Sequence, residues 1–75
     1  MAKTFSGKAV IRTLVREFGF AVVSQRGSHV KLRKRSGDRV ITTIVPFHKE
    51  LALGTLSGVL ELAEISENDF RRSAR

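Results

Sequence analysis

The 75-residue chain carries 14 Lys and Arg against 7 Asp and Glu, a formal net charge of +7, and it has no cysteine. That length suits one domain, expected over residues 1–75 with a core from about 6 to 66, and such a domain buries only about 60% of the surface of its unfolded chain. Disulfides and thiolate metal sites are excluded, and the longest apolar run, Phe20 to Val23, is too short for a membrane span. The first predicted element is a helix between Ser6, a suitable N-cap, and Gly19, placed where a helix-terminating glycine belongs. Between them Val10, Ile11, Leu14, Val15 and Phe18 recur at helical spacing, with Lys8, Arg12, Arg16 and Glu17 mostly on the other side.

Phe20 to Gln25 is β-branched and too short for a helix, so it reads as strand one, with a break at Arg26-Gly27-Ser28. Strand two starts at His29 and runs to Arg33 or slightly beyond. Its alternation puts Val30 and Leu32 on one side and His29, Lys31 and Arg33 on the other. Arg35-Ser36-Gly37-Asp38 is a turn signal, Arg39 to Val45 is strand three, and Pro46 closes the sheet. Phe47 to Leu53 reads as a connector. Thr55 is expected to cap a second helix with Leu56, Val59, Leu60 and Ala63 as its buried stripe, interrupted by Gly58. Ser66-Glu67-Asn68-Asp69 resembles a capping box opening a last short turn around Phe70, and the tail from Arg71 to Arg75 is expected to fray.

The resulting class is α+β, in the order α-β-β-β-α, with a three-stranded antiparallel sheet and two helices on one face. Strands one and three are apolar on both sides, which leaves hydrophobic surface for a partner to cover. The charge is unevenly placed. Residues 1–49 hold eleven basic residues against Glu17 and Asp38, a net of +9, whereas residues 50–75 hold three Arg against five acids, a net of −2. The block from Arg26 to Arg39 has six basic residues and one acid. A field of that sign attracts polyanions, and nucleic acid is the commonest one inside cells. The start, Met1 to Gly7, has no apolar stretch of signal-peptide length, so a soluble cytoplasmic protein is expected.

Gly27-Ser28-His29 is the segment that can carry chemistry. At the start of strand two, His29 shares its face with Lys31 and Arg33. A neutral imidazole beside bound phosphate is a competent general base. In RNA the 2′-hydroxyl is a built-in nucleophile, and Arg26, Lys31, Arg33, Lys34 and Arg35 are candidates to bind phosphate and stabilise the charge that develops. Gly27 lets backbone or phosphate approach, and Ser28 can donate to a phosphate oxygen. The mechanism requires no metal or other cofactor. His29 and His48 stand nineteen positions apart without a carboxylate motif between them, which argues against a metal site. Nothing matches a phosphate-cradling glycine loop, and carboxylate pairs are absent from the basic half.

Gly-Ser-His alone is a short signal, and a lone histidine beside a loop is ordinarily a surface residue. The wider pattern adds to it. Ser6-Gly7-Lys8, Gly19-Phe20, Gly27-Ser28-His29 and Val45-Pro46-Phe47-His48-Lys49-Glu50-Leu51 with Gly54-Thr55-Leu56 resemble, in order and separation, the HicA family of toxin mRNA interferases. Leu62-Ala63-Glu64-Ile65-Ser66 extends the similarity, so that it covers residues 6 to 66. The resemblance implies a fold similar to double-stranded RNA-binding domains, His29 as catalytic residue, mRNA as substrate and a HicB-type antitoxin as partner. Two departures fall on the second helix: Glu64, where members often carry glycine, and Ser57-Gly58, where a basic and a larger residue are frequent. Two rival readings remain on the residues themselves. One is a non-catalytic double-stranded RNA-binding module, the other an adaptor whose basic face docks an acidic protein. A histidine held among cations is what a pure binder has little need of.

Overall fold

The computed structural model describes residues 3–74. Its elements are α1 (Gly7–Phe18), β1 (Ala21–Arg26), β2 (His29–Ser36), β3 (Arg39–Pro46), α2 (Leu53–Ala63) and α3 (Glu67–Ser73). The strands form one antiparallel sheet in the order β1-β2-β3, so β2 is central and both its neighbours are edges. α1 and α2 pack on one face, α2 mainly over β3 and α1 over β1 and β3, and α3 closes the gap between the two helices. This is the expected α+β order with one further short helix. Among the described residues no helix is long and apolar enough to cross a membrane.

The ends of α1 follow from its sequence. The Ser6 side chain accepts a hydrogen bond from the Ala9 amide at 3.0 Å, and Gly19 takes a left-handed φ of 78° to turn the chain into β1. The buried side of α1 is Gly7, Val10, Thr13 and Leu14; Ile11 and Phe18 are half-buried. Val15, expected in the apolar stripe, is exposed because the stripe centres on Val10 and Leu14 and leaves it too far round the helix. Both hairpins are joined by two-residue loops, Gly27-Ser28 and Gly37-Asp38, closed by the pairs Arg26–His29 and Ser36–Arg39. Each loop has glycine at its first position with positive φ, 56° and 62°, the arrangement that matches the twist of the flanking strands. β2 therefore extends to Ser36, past the expected end at Arg33 or slightly beyond it.

The core lies between the helices and the sheet. Val30 and Leu32 of β2 and Ile41, Thr43 and Val45 of β3 face it, with Leu56, Val59, Leu60 and Ala63 of α2 packed above. That stripe of α2 is the expected one, but the helix begins two residues before Thr55, after Ala52, which offers no side-chain cap. Buried Thr43 donates its hydroxyl to the Val59 carbonyl at 2.8 Å, fixing α2 on β3. At the far end of α2 the amide of Ile65 donates to Leu60 and that of Glu64 to Glu61, with Glu64 at φ 60°. This is a Schellman ending, whose left-handed position glycine occupies at least strain.

The C-terminal segment differs from the expected frayed tail through Ala74. Ser66 caps α3 by accepting from the Asp69 amide, and the helix runs to Ser73 because Phe70 is fully buried against Phe5 in an edge-to-face pair, ring centroids 5.2 Å apart. Arg71 adds a hydrogen bond to the Lys3 carbonyl, an ion pair with Glu67 and a position over the Phe5 ring.

Candidate functional site

The sheet face opposite the helices is uncovered, and the period of two along β2 decides what stands on it. Directly opposed residues share a face. His29, Lys31, Arg33 and Arg35 therefore line the open face of the central strand. Their β3 partners are Pro46, Ile44, Thr42 and Val40, and their β1 partners Arg26, Ser24 and Ala21. β1 contributes through a bulge. Val22 pairs with Leu32 but Ser24 pairs with Lys31, so one extra residue is inserted at Val23. The two-residue turn sets Arg26 opposite His29 and Ser24 opposite Lys31, and the bulge shifts the register beyond them, so that Ala21 comes opposite Arg33. Opposed Cα atoms in such a ladder lie about 4.5–5.5 Å apart, which sets a guanidinium side chain beside the imidazole.

Ser24, Gln25, Arg26, His29, Lys31 and Ile44 enclose a shallow concavity of about 730 Å³ on this face. His29 is exposed within it and Lys31 half-buried. Among the described residues the ion pairs are Arg39–Glu64, Arg71–Glu67 and Arg72–Asp69. Arg26, Lys31, Arg33 and Arg35 take part in none of them, so the face keeps its positive charge. Successive cations along β2 stand roughly 7 Å apart, near enough to repel one another and to be relieved by a polyanion. No three His, Asp or Glu side chains gather among the described residues.

The expected site residues are not all brought together. Arg26, His29, Lys31, Arg33 and Arg35 share the open face. Lys34 lies on the other face of β2, its ammonium 5.6 Å from the centre of the Phe20 ring, where it covers the edge of the core. Gly27 meets no neighbouring atom within 4 Å of a Cβ position, so its glycine identity answers to the positive φ of the turn and not to a close approach. Ser28 sits in the turn, and its carbonyl accepts from the Phe47 amide at 2.5 Å. Ser24 and Ile44 were absent from the expected site. Ile44 follows from the alternation of β3, and Ser24 follows from counting back from the two-residue turn, which sets it opposite Lys31.

The turn is anchored from behind. Gly7 at the start of α1 donates to the His48 carbonyl at 2.9 Å, and a Cβ there would lie 2.0 Å from the Pro46 carbonyl oxygen. Only glycine allows α1 to press on Pro46-Phe47, the segment whose next hydrogen bond holds the Gly27-Ser28 turn. The amide of Leu51 then donates to the Phe5 carbonyl at 2.8 Å, fixing the connector to the chain before α1. Three of the segments that carry the sequence resemblance, those of Gly7, Ser28-His29 and Pro46 to His48, thus meet beside His29.

The profile of the family described as HicA toxin of bacterial toxin-antitoxin matches residues 7–65. The chain belongs to the HicA toxin family. It is therefore a toxin of a toxin–antitoxin system, and an antitoxin is its partner. No curated protein matches the chain significantly. The match covers α1, the whole sheet and α2, and with them every residue of the open face.

Proposed function

We propose that this toxin is a metal-independent endoribonuclease that cleaves mRNA, with His29 as general base. The observation that carries this reading is the position of His29: exposed at the end of the central strand, with Arg26 across the ladder and Lys31 next on the same face, all without acidic partners among the described residues. In the reaction His29 takes the proton of a 2′-hydroxyl. The freed oxygen bonds to the neighbouring phosphorus, the bond from phosphorus to the 5′ oxygen breaks, and that oxygen leaves with a proton from solvent. Arg26 and Lys31 neutralise the charge gathering on the phosphoryl oxygens, and Arg33 and Arg35 hold phosphates further along the strand. Ser28 and Gly27 contribute as the turn that presents the imidazole. The toxin acts in the cytoplasm, and its antitoxin is of the HicB type, covering the open face where Val40 and Ile44 add exposed apolar surface beside the cations.

The test is cleavage of mRNA in EDTA by the purified protein and by its His29→Ala variant. Cleavage by the parent giving 2′,3′-cyclic phosphate and 5′-hydroxyl ends, and none by the folded variant, is the expected result. Equal cleavage by the variant removes His29 from the mechanism. RNA binding without cleavage by the parent favours the non-catalytic double-stranded RNA-binding module.

A further inference from the structure

A second concavity adjoins the turn that carries His29, and the reaction above makes no use of it. Ser6, Lys8, Phe47, His48 and Lys49 enclose a notch of about 270 Å³ between the start of α1 and the segment leaving β3. Phe47 is 50% exposed, an unusual setting for an aromatic ring in a chain with five phenylalanines and no tyrosine or tryptophan. Phe5, Phe20 and Phe70 are buried and Phe18 is half-buried, so the ring of Phe47 is surplus to the core. Around it stand exposed Lys8, His48 and Lys49. The nearest acid in sequence, Glu50, accepts a hydrogen bond from the Thr4 hydroxyl, and among the described residues neither Lys8 nor Lys49 is ion-paired.

An exposed aromatic face with two lysines beside it is the chemistry of a single-stranded nucleic-acid subsite. Bases stack on the ring whatever their identity, and ammonium groups take the phosphates. The backbone ties the notch to the reacting centre. Pro46 is the ladder partner of His29, and the next residue, Phe47, donates its amide to the Ser28 carbonyl. A strand of RNA crossing the open face at His29 would reach the notch within a residue or two of the protein ladder. Gly7 keeps this geometry rigid, since its contact with Pro46 and Phe47 permits no side chain.

We infer that the notch of Ser6, Lys8, Phe47, His48 and Lys49 binds a nucleotide neighbouring the scissile phosphate in single-stranded RNA, its base stacked on Phe47 and its phosphate held by Lys8 and Lys49. The inference rests on the ribonuclease reading and adds to it a preference for unpaired RNA, because a base within a duplex has no free face to stack.

The test uses the full-length protein and a fluorescently labelled, mixed-sequence oligonucleotide of 2′-O-methyl ribonucleotides, which lacks the nucleophile and cannot be cleaved. Phe47→Ala and Phe47→Leu should weaken binding by about 5- to 100-fold, and Phe47→Trp should restore it. Phe47→Leu keeps the apolar bulk, so a loss there reports the ring and not the fold, which circular dichroism checks in parallel. The loss should disappear with an oligonucleotide of abasic residues. Lys8→Ala and Lys49→Ala should each lower the slope of log K against log salt by about 0.7, while Phe47→Ala leaves the slope unchanged. Parent-like binding by folded Phe47→Ala and Phe47→Leu overturns the subsite. Cleavage of unmodified mRNA by the parent, measured alongside, then shows the ribonuclease reading standing without it; a parent that neither binds nor cleaves RNA overturns both.

Discussion

Replacing Gly7 by alanine should damage this protein far more than a single methyl group suggests. The added Cβ would lie 2.0 Å from the Pro46 carbonyl oxygen and 3.0 Å from the Phe47 Cα, and these are backbone atoms that cannot swing aside. α1 must lift from the β3 exit, lengthening the hydrogen bond from the Gly7 amide to His48. Overpacking at a rigid contact costs about 1–3 kcal/mol, more than the gain of up to about 1 kcal/mol from replacing glycine in a helix. For a domain of this size each kcal/mol moves the melting temperature by about 4–8 °C, so a net loss of about 2 kcal/mol lowers it by roughly 8–16 °C. Gly58→Ala supplies the control of opposite sign. Gly58 lies inside α2 with nothing within 4 Å of a Cβ position, and alanine there should stabilise by about 0.5–1 kcal/mol. Calorimetry or thermal circular dichroism of the two variants reads both effects. A Gly7→Ala protein as stable as its parent would show that the contact between α1 and Pro46 relaxes freely and does not hold the Gly27-Ser28 turn in place.

Glu64→Gly should raise stability by about 1 kcal/mol, read as a higher melting temperature, because Glu64 holds the left-handed C-terminal position of α2 at φ 60°. Its solvent-exposed ion pair with Arg39 offsets little of that, and Glu64→Ala, which keeps the strain, should show no gain. In RNA binding titrated with salt, Lys31→Ala and Arg33→Ala should each flatten the slope by about 0.7, whereas Arg72→Ala, which breaks a surface pair with Asp69, should not; equal effects at all three would remove the open face as the RNA surface. Chemical modification of His29 should be blocked in the antitoxin complex, with the growth defect relieved on co-expression. His29 reacting as in the unbound toxin, within a complex that still cleaves, would exclude direct occlusion.

The parts of the fold that were legible are those written in period and punctuation. Ser6 and Gly19 mark both ends of α1, the alternation of β2 separates Val30 and Leu32 from His29 and Lys31, and Leu56, Val59, Leu60 and Ala63 give the buried stripe of α2. The errors have local physical causes. Thr55 has the chemistry of a cap but lies inside α2, because the chain turns already at Ala52 after Leu51 is buried. The tail reads as frayed in the sequence because its order depends on a tertiary contact between Phe70 and Phe5 that no local pattern announces. Lys34 stands among the candidate phosphate binders by proximity in sequence, although the same alternation that selects His29 puts it on the helix side. Arg26 reads as a candidate from its charge alone; what sets it opposite His29 is the two-residue turn at Gly27-Ser28, whose closing pair they form.

The core and the proposed RNA surface occupy opposite faces of one strand, and this separates their mutational costs. On the helix face Val30 and Leu32 are almost wholly buried, and shortening either to alanine would remove packing worth about 2–5 kcal/mol, a large share of what a small domain possesses. On the open face His29, Arg33 and Arg35 are exposed, so their truncation costs the core almost nothing. The arrangement even carries a penalty, because like charges on one face repel and no acid among the described residues relieves them. Neutralising Arg33 or Arg35 should therefore leave the fold as stable as before or slightly more so, while weakening any polyanion that binds the sheet. A surface that stores repulsion in the unbound protein releases it on meeting an anion. Among the described residues the open face carries four cations without an ion-pair partner, Arg26, Lys31, Arg33 and Arg35, against three on α1, Lys8, Arg12 and Arg16, so an anion would relieve more repulsion there.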